Sequence, residues 1–221
     1  VHAAHRKLML GQFTAKRVQS LQPLIADIFE TLWAAEADDG AVEWMDAIAN
    51  RLPMMVVADL IGVPEADADQ LARWGCASTQ LLDGLMSTDE LAASMSAISE
   101  LSNYFATRQQ VAATNPGDDL MGVLARACAA GNLDTFTALL ILVSLFSAGG
   151  ESTASLLGTA MAILATDADL QKELRDQPDL LGVFIEETLR LEPPFRAHYR
   201  HVLADTELAD IVLPKDSRVL L

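Results

Sequence analysis

Ala148-Gly149-Gly150-Glu151-Ser152-Thr153 places an acid, two hydroxyls and two adjacent glycines inside the longest apolar run of the chain, Phe136 through Leu164. Glu151 is the one charged residue of that run, with two hydroxyls directly beside it. Each interior glycine costs a helix about 1 kcal/mol relative to alanine, and a buried, unpaired carboxylate costs more. Local conflict of this kind is expected where a site is built into a helix. A glycine kink carrying a solvated Glu151 is the plainer alternative. Two further pairs have helical spacing. His2 and Arg6 are i, i+4 and present cationic donors from one face; Glu187 and Arg190 are i, i+3 and can form an ion pair. Either pair can equally be ordinary surface chemistry.

The elements that must carry these residues are mostly helices. The 221 residues are 51% hydrophobic, rich in Ala and Leu and poor in β-branched runs. Thr14 can cap a helix over about 15–37, with Pro23 inside it as a kink or a break. Val42-Glu43-Trp44-Met45 reads as a short strand or the lead into a helix that stops at Gly62. Pro64-Glu65 opens another helix reaching about Leu82, and Ser87-Thr88-Asp89-Glu90 starts one that runs to about Thr114. Asn115-Pro116-Gly117 is a turn. A short helix follows to Ala130, and Asp134 precedes the long apolar helix, which ends at Thr166-Asp167. Shorter helices are expected over 168–175 and 178–191, where Pro193-Pro194 prevents continuation. Segments 198–203, 207–213 and 218–221 then read as short strands. The fold class is mainly α with a small β part, in a single, partial domain spanning 1–221.

Charge and cysteine usage exclude several classes. A net charge of −16 argues against nucleic-acid binding and suits a cytoplasmic protein. Arg6, Lys7, Lys16 and Arg17 precede the first acid, Asp27, so the N-terminal stretch is locally basic; a solvated helix face accounts for that equally well. Cys76 and Cys128 are far apart and lack metal-type spacing, so no metal ligand set is assigned. The run from Phe136 to Gly150 is shorter than the ~18 apolar residues of a membrane span, and Glu151 ends it. No membrane association is expected. The first residue is not Met, and Val219-Leu220-Leu221 stops within a strand-like run; the chain reads as a piece of something longer.

Taken in order, Ala148-Gly149-Gly150-Glu151-Ser152, then Glu187-Thr188-Leu189-Arg190 and Pro193-Pro194, resemble the cytochrome P-450 family, the haem-thiolate monooxygenases. His2-Ala3-Ala4-His5-Arg6 resembles the family's haem-flanking helix, Phe13-Thr14 the Phe-Thr that follows it, and Arg200 the arginine on the first strand after the E-x-x-R helix. The resemblance covers the whole chain and is to the soluble, bacterial type. It implies an incomplete P-450-like fold, without the first helices and without the Phe-Gly-rich cysteine loop that ligates iron. Neither Cys76 nor Cys128 sits in matching sequence.

The resemblance also implies roles. Glu151 would gather protons and Ser152 would position water near bound dioxygen. The family more often has Thr where this chain has Ser152, so the hydroxyl is kept and the rotamer-restricting methyl is lost. Ala148 and Gly149 would leave room for the cofactor, haem b, while His2, Arg6 and Arg200 would meet its propionates. Leu145, Phe195 and Arg196 would border the substrate, with Leu81 and Leu82 as further pocket residues. Glu187 and Arg190 would be structural, buried behind the haem. A ferredoxin served by a ferredoxin reductase would supply electrons at the basic face, and a small organic molecule would be oxidised. The rival classes are a non-catalytic helical binding protein for an apolar ligand, and an unrelated helical regulator.

Overall fold

The computed structural model describes residues 6, 9–11, 13–37, 40–64, 67–79 and 87–221. The chain divides into two compact units, residues 1–158 and 159–221.

In the first unit Thr14 caps α1 (Ala15–Ser20), its side chain accepting from the Arg17 N–H at 3.3 Å. The helix expected over 15–37, with a kink or a break at Pro23, is broken into two. The chain breaks at Leu21, and Pro23 sits in the first turn of α2 (Gln22–Glu36), where its missing N–H costs nothing. Proline here starts a helix instead of kinking one. Val42–Met45 leads into a helix: a π-helical turn, Met45–Ala49, precedes α3 (Arg51–Ile61). Gly62 closes α3 with φ +93°, a left-handed cap that glycine adopts without steric cost.

Next come α4 (Ala68–Thr79) and α5 (Thr88–Thr114). The latter starts with a reciprocal capping box. The Glu90 N–H donates to Ser87 Oγ at 3.3 Å, and the Ser87 N–H donates to Glu90 Oε2 at 2.7 Å. Asp119 caps α6 (Leu120–Ala129), and α7 (Thr135–Thr166) follows. Met54, Ile61, Leu71, Leu101, Phe105, Leu124, Leu142 and Phe146 form one buried core joining α3 through α7. Phe105 and Phe146 meet edge-on at 5.8 Å between ring centroids. By length and composition α7 could cross a membrane; Leu142 and Phe146 on one face are buried in this core, while Leu140, Ser144 and Ala148 are exposed.

The second unit contains the end of α7, then α8 (Ala168–Asp176), capped by Asp167, one 3₁₀ turn and α9 (Leu181–Leu191). Beyond the double proline, β1 (Tyr199–His201) pairs antiparallel with β4 (Arg218–Leu220), with Arg200 opposite Val219. The segment 207–213 is not one strand. It is part of a hairpin, β2 (Thr206–Leu208) against β3 (Ile211–Leu213), that reverses at Ala209-Asp210 with φ of 51° and 61°. Tight hairpin turns demand such angles but usually announce them with Asn or Gly.

Candidate functional site: the two faces of the long helix

Helix α7 runs without interruption through Gly149 and Gly150. Each oddity of the hexapeptide has a local resolution. The Ser152 hydroxyl donates to the Ala148 carbonyl at 3.0 Å, and the Thr153 hydroxyl to the Gly149 carbonyl at 2.9 Å. Such back-bonding satisfies a hydroxyl within its own helix. Glu151 is exposed, so its charge is not desolvated. The glycines serve packing. A Cβ on Gly150 would lie 2.0 Å from Met54 Cε, and one on Gly149 would lie 2.9 Å from Val57 Cγ2. Met54 is itself wedged, because a Cβ on Gly75 would meet the same Cε at 2.8 Å. Three helices therefore close on one methionine.

The opposite face is open. Thr137, Leu140, Ile141, Ser144, Leu145 and Ala148 fall at the three- and four-residue spacings of one helical stripe. They line a groove of ≈ 760 Å³ whose other wall is Arg6, Met9, Leu10 and Phe13. Arg6 from the His-Arg pair, Ala148 from the hexapeptide and Leu145, assigned by position through the resemblance, thus share one cavity. On a regular helix Glu151 lies about 20° around from Ser144, and Ser152 about 20° from Leu145. The acid and the hydroxyl therefore continue the stripe one turn beyond the groove's last wall residue. The groove is walled by apolar side chains with a guanidinium at its edge, which fits an apolar group bearing a carboxylate.

Met9, Leu10, Thr137, Leu140, Ile141 and Ser144 are wall residues that the motifs did not single out, and Phe13 was marked by the Phe-Thr pair without a role. For Ser144 a signal was present: stepping back from Ala148 by one helical turn reaches it. Nothing comparable marks Met9 and Leu10, which line the groove only because the chain folds back on itself. His2, Leu81 and Leu82 lie outside the described residues.

The remaining predicted residues belong to the second unit. Arg190 donates twice to Glu187, at 2.8 and 2.6 Å. Arg190 holds the Glu187 carboxyl below its usual value, chiefly through those hydrogen bonds. The pair is exposed in this chain, with side-chain exposures of 65% and 51% for Arg190 and Glu187, not buried as the resemblance implies. Phe195 packs on His198, with ring centroids 5.4 Å apart, and Arg196 pairs with Glu192 at 3.6 Å. Arg200 Nη1 donates to the Tyr199 carbonyl at 3.1 Å from an exposed position on β1.

Cys128 is a poor metal ligand. Burial first, then the Asp134 charge, push its thiol up, away from the thiolate a metal binds. Among the described residues no three His, Cys, Asp or Glu side chains gather as a metal site.

No family model matches the chain. Individual relatives do. It is 54% identical over 220 residues to cytochrome P450 144 of Mycobacterium tuberculosis, covering 100% of this chain and 51% of the relative. The chain belongs to the cytochrome P450 family. A second relative, the 6-deoxyerythronolide B hydroxylase of Saccharopolyspora erythraea, is 30% identical over 221 residues, covering 99% of this chain and 54% of that one. The chain thus spans about half the length of the curated P450s it matches.

Solved P450 structures agree with the fold. CalO2 superposes with a TM-score of 0.91 at 27% identity, over 99% of this chain and 55% of that one. P450BioI, solved in complex with a hexadec-9Z-enoic acid-ligated acyl carrier protein, superposes with a TM-score of 0.90 at 27% identity, over 99% and 56%. The mainly helical, partial P450 fold expected from the sequence is what the structure and these neighbours show.

Proposed function

We propose that the chain supplies the helical wall over the cofactor of a haem-thiolate monooxygenase that inserts one oxygen atom of O₂ into a small organic substrate. The observation that carries this reading is the convergence of Arg6, Leu145 and Ala148 on one apolar groove. Relatives named as hydroxylases, including the vitamin D(3) 25-hydroxylase of Pseudonocardia autotrophica at 30% identity, support the reaction class.

Haem b, when bound, supplies the activation of dioxygen. The side chains do the rest. Arg6 pairs with a propionate, and Arg200 and His2 are assigned the same task. Phe13, Leu145 and Ala148 exclude water from the groove, which strengthens every charge interaction within it. Gly149, assigned to the cofactor surface, also keeps α7 close to Val57.

Glu151, exposed on the same stripe, takes protons from bulk solvent. Ser152, whose O–H is already given to the Ala148 carbonyl, keeps its lone pairs to accept from a water. Phe195 and Arg196 border the substrate, while Glu187 and Arg190 brace the fold. Neither Cys76 nor Cys128 is assigned as the iron ligand. Electrons arrive from a ferredoxin and its reductase, steered to the basic stretch of Arg6, Lys7, Lys16 and Arg17, and the enzyme works in the cytoplasm.

The test is an absorbance titration of the purified chain with hemin. Binding is expected, weakened at least tenfold by Arg6→Ala, and the reduced, CO-treated sample lacks the band of thiolate ligation. Unchanged affinity in Arg6→Ala removes the groove from the cofactor site; a thiolate band refutes the assignment of the cysteines.

A further inference from the structure

Among the described residues the charged group with an unexplained buried donor is Arg108. Its Nε–H is buried on α5 without a hydrogen-bond acceptor, and the ion pairs among the described residues leave it out. That is anomalous in a chain with 31 acidic and only 15 basic side chains. Buried donors are normally satisfied, so holding a half-buried guanidinium with this one N–H unmatched is a costly placement for a cation.

Its surroundings have a definite chemistry. Glu100, Asn103, Tyr104, Thr107 and Arg108 form one stripe of α5 and, with Trp74 of α4, line a shallow cavity of ≈ 390 Å³. The Trp74 and Tyr104 rings lie 5.9 Å apart, tilted by 53°. Their polar ends are already engaged. Trp74 Nε1–H donates to Glu100 Oε2 at 2.9 Å, and the Tyr104 hydroxyl donates to Asp67 Oδ2 at 2.6 Å. Burial, with the Asp67 carboxylate beside it, pushes the Tyr104 phenol well above its usual value, so the ring stays neutral. The Thr107 hydroxyl is given to the Asn103 carbonyl at 2.9 Å. What remains free toward the cavity is aromatic surface, the Asn103 amide and one cation.

From this we infer a second binding site, for a planar aromatic carboxylate: the guanidinium of Arg108 takes the carboxylate, and Trp74 with Tyr104 takes the ring. A guanidinium meets a carboxylate through parallel N–H bonds; the Arg108 Nε is closed to solvent, so those bonds come end-on from its two terminal nitrogens. The Glu100 carboxylate at the rim opposes an anion, but its charge is partly committed to the Trp74 indole. A cavity of this size falls within the range that holds small ligands, roughly 300–1,000 Å³. The site is independent of the groove along α7 and does not rest on the haem assignment.

Calorimetric titration of the full chain with 2-naphthoate, and with 2-naphthylmethanol as its neutral isostere, tests this. The acid should bind and the alcohol should bind at least tenfold more weakly. Arg108→Gln should lose tenfold or more for the acid, Arg108→Lys less, and Arg175→Gln, on α8, nothing. In the unsubstituted chain, nuclear Overhauser contacts from the naphthyl protons should reach the Trp74 and Tyr104 rings, a readout that does not depend on how any variant folds. Equal binding of the alcohol, full binding by Arg108→Gln, loss in Arg175→Gln, no binding by the parent chain or contacts to other rings each overturn the inference.

Discussion

The two faces of α7 are built from the same few residue types and do opposite things. Gly150 is small because Met54 of a neighbouring helix needs the space, and Ala154, one turn on, is buried. Ala148 and Ser144 are small on a face that no described helix fills, leaving a groove. A small residue in an apolar helix is therefore ambiguous until its azimuth is known. The physical difference is what the missing side-chain volume is given to: on one side the thioether of Met54, on the other a cavity.

The largest effect should come from breaking the packed face. Gly150→Val puts a branched side chain where a Cβ alone would overlap Met54, and should cost about 3 kcal/mol in urea unfolding. Adding Met54→Ala should recover part of that loss. Full stability in Gly150→Val would erase the contrast between the faces. On the open face, Ala148→Leu should change stability by less than about 0.5 kcal/mol while lowering hemin affinity at least tenfold. Equal hemin affinity would mean that the groove is not used.

A change remote from both faces sets the scale. Ser87→Ala removes the capping box of α5 and should cost about 1 kcal/mol. The smallest effect belongs to the Glu187–Arg190 pair. Glu187 has its carboxyl lowered in the fold by the Arg190 hydrogen bonds. Its contribution is thus fully present above the ordinary value of 4.5 and lost as pH falls through the lowered folded value. Both partners are exposed, so Glu187→Gln should flatten the acid limb of the stability curve only slightly, and added salt should hide the difference.

What could be read in advance was local. The limits of α5 follow from Ser87 and Glu90 at one end and Asn115-Pro116 at the other, all neighbours in sequence. The break at Leu21 was signalled by Pro23 as one of two alternatives, whereas the hairpin at Ala209-Asp210 was missed, because it lacks the usual glycine or asparagine signal. For the candidate site, Arg6, Leu145 and Ala148 were legible only through the family resemblance, which ties together segments that no periodicity connects. The packing role of Gly150 was invisible. It depends on Met54 of α3, and no spacing within α7 points to another helix.

The wedge of Met54 between Gly75 and Gly150 has a consequence for how such a chain can drift over generations. Three positions scattered through the gene share one small volume, so a bulkier residue at any of them is tolerated only after a smaller one has appeared at another. Substitutions there should enter a lineage in a fixed order, deletion of bulk before its gain.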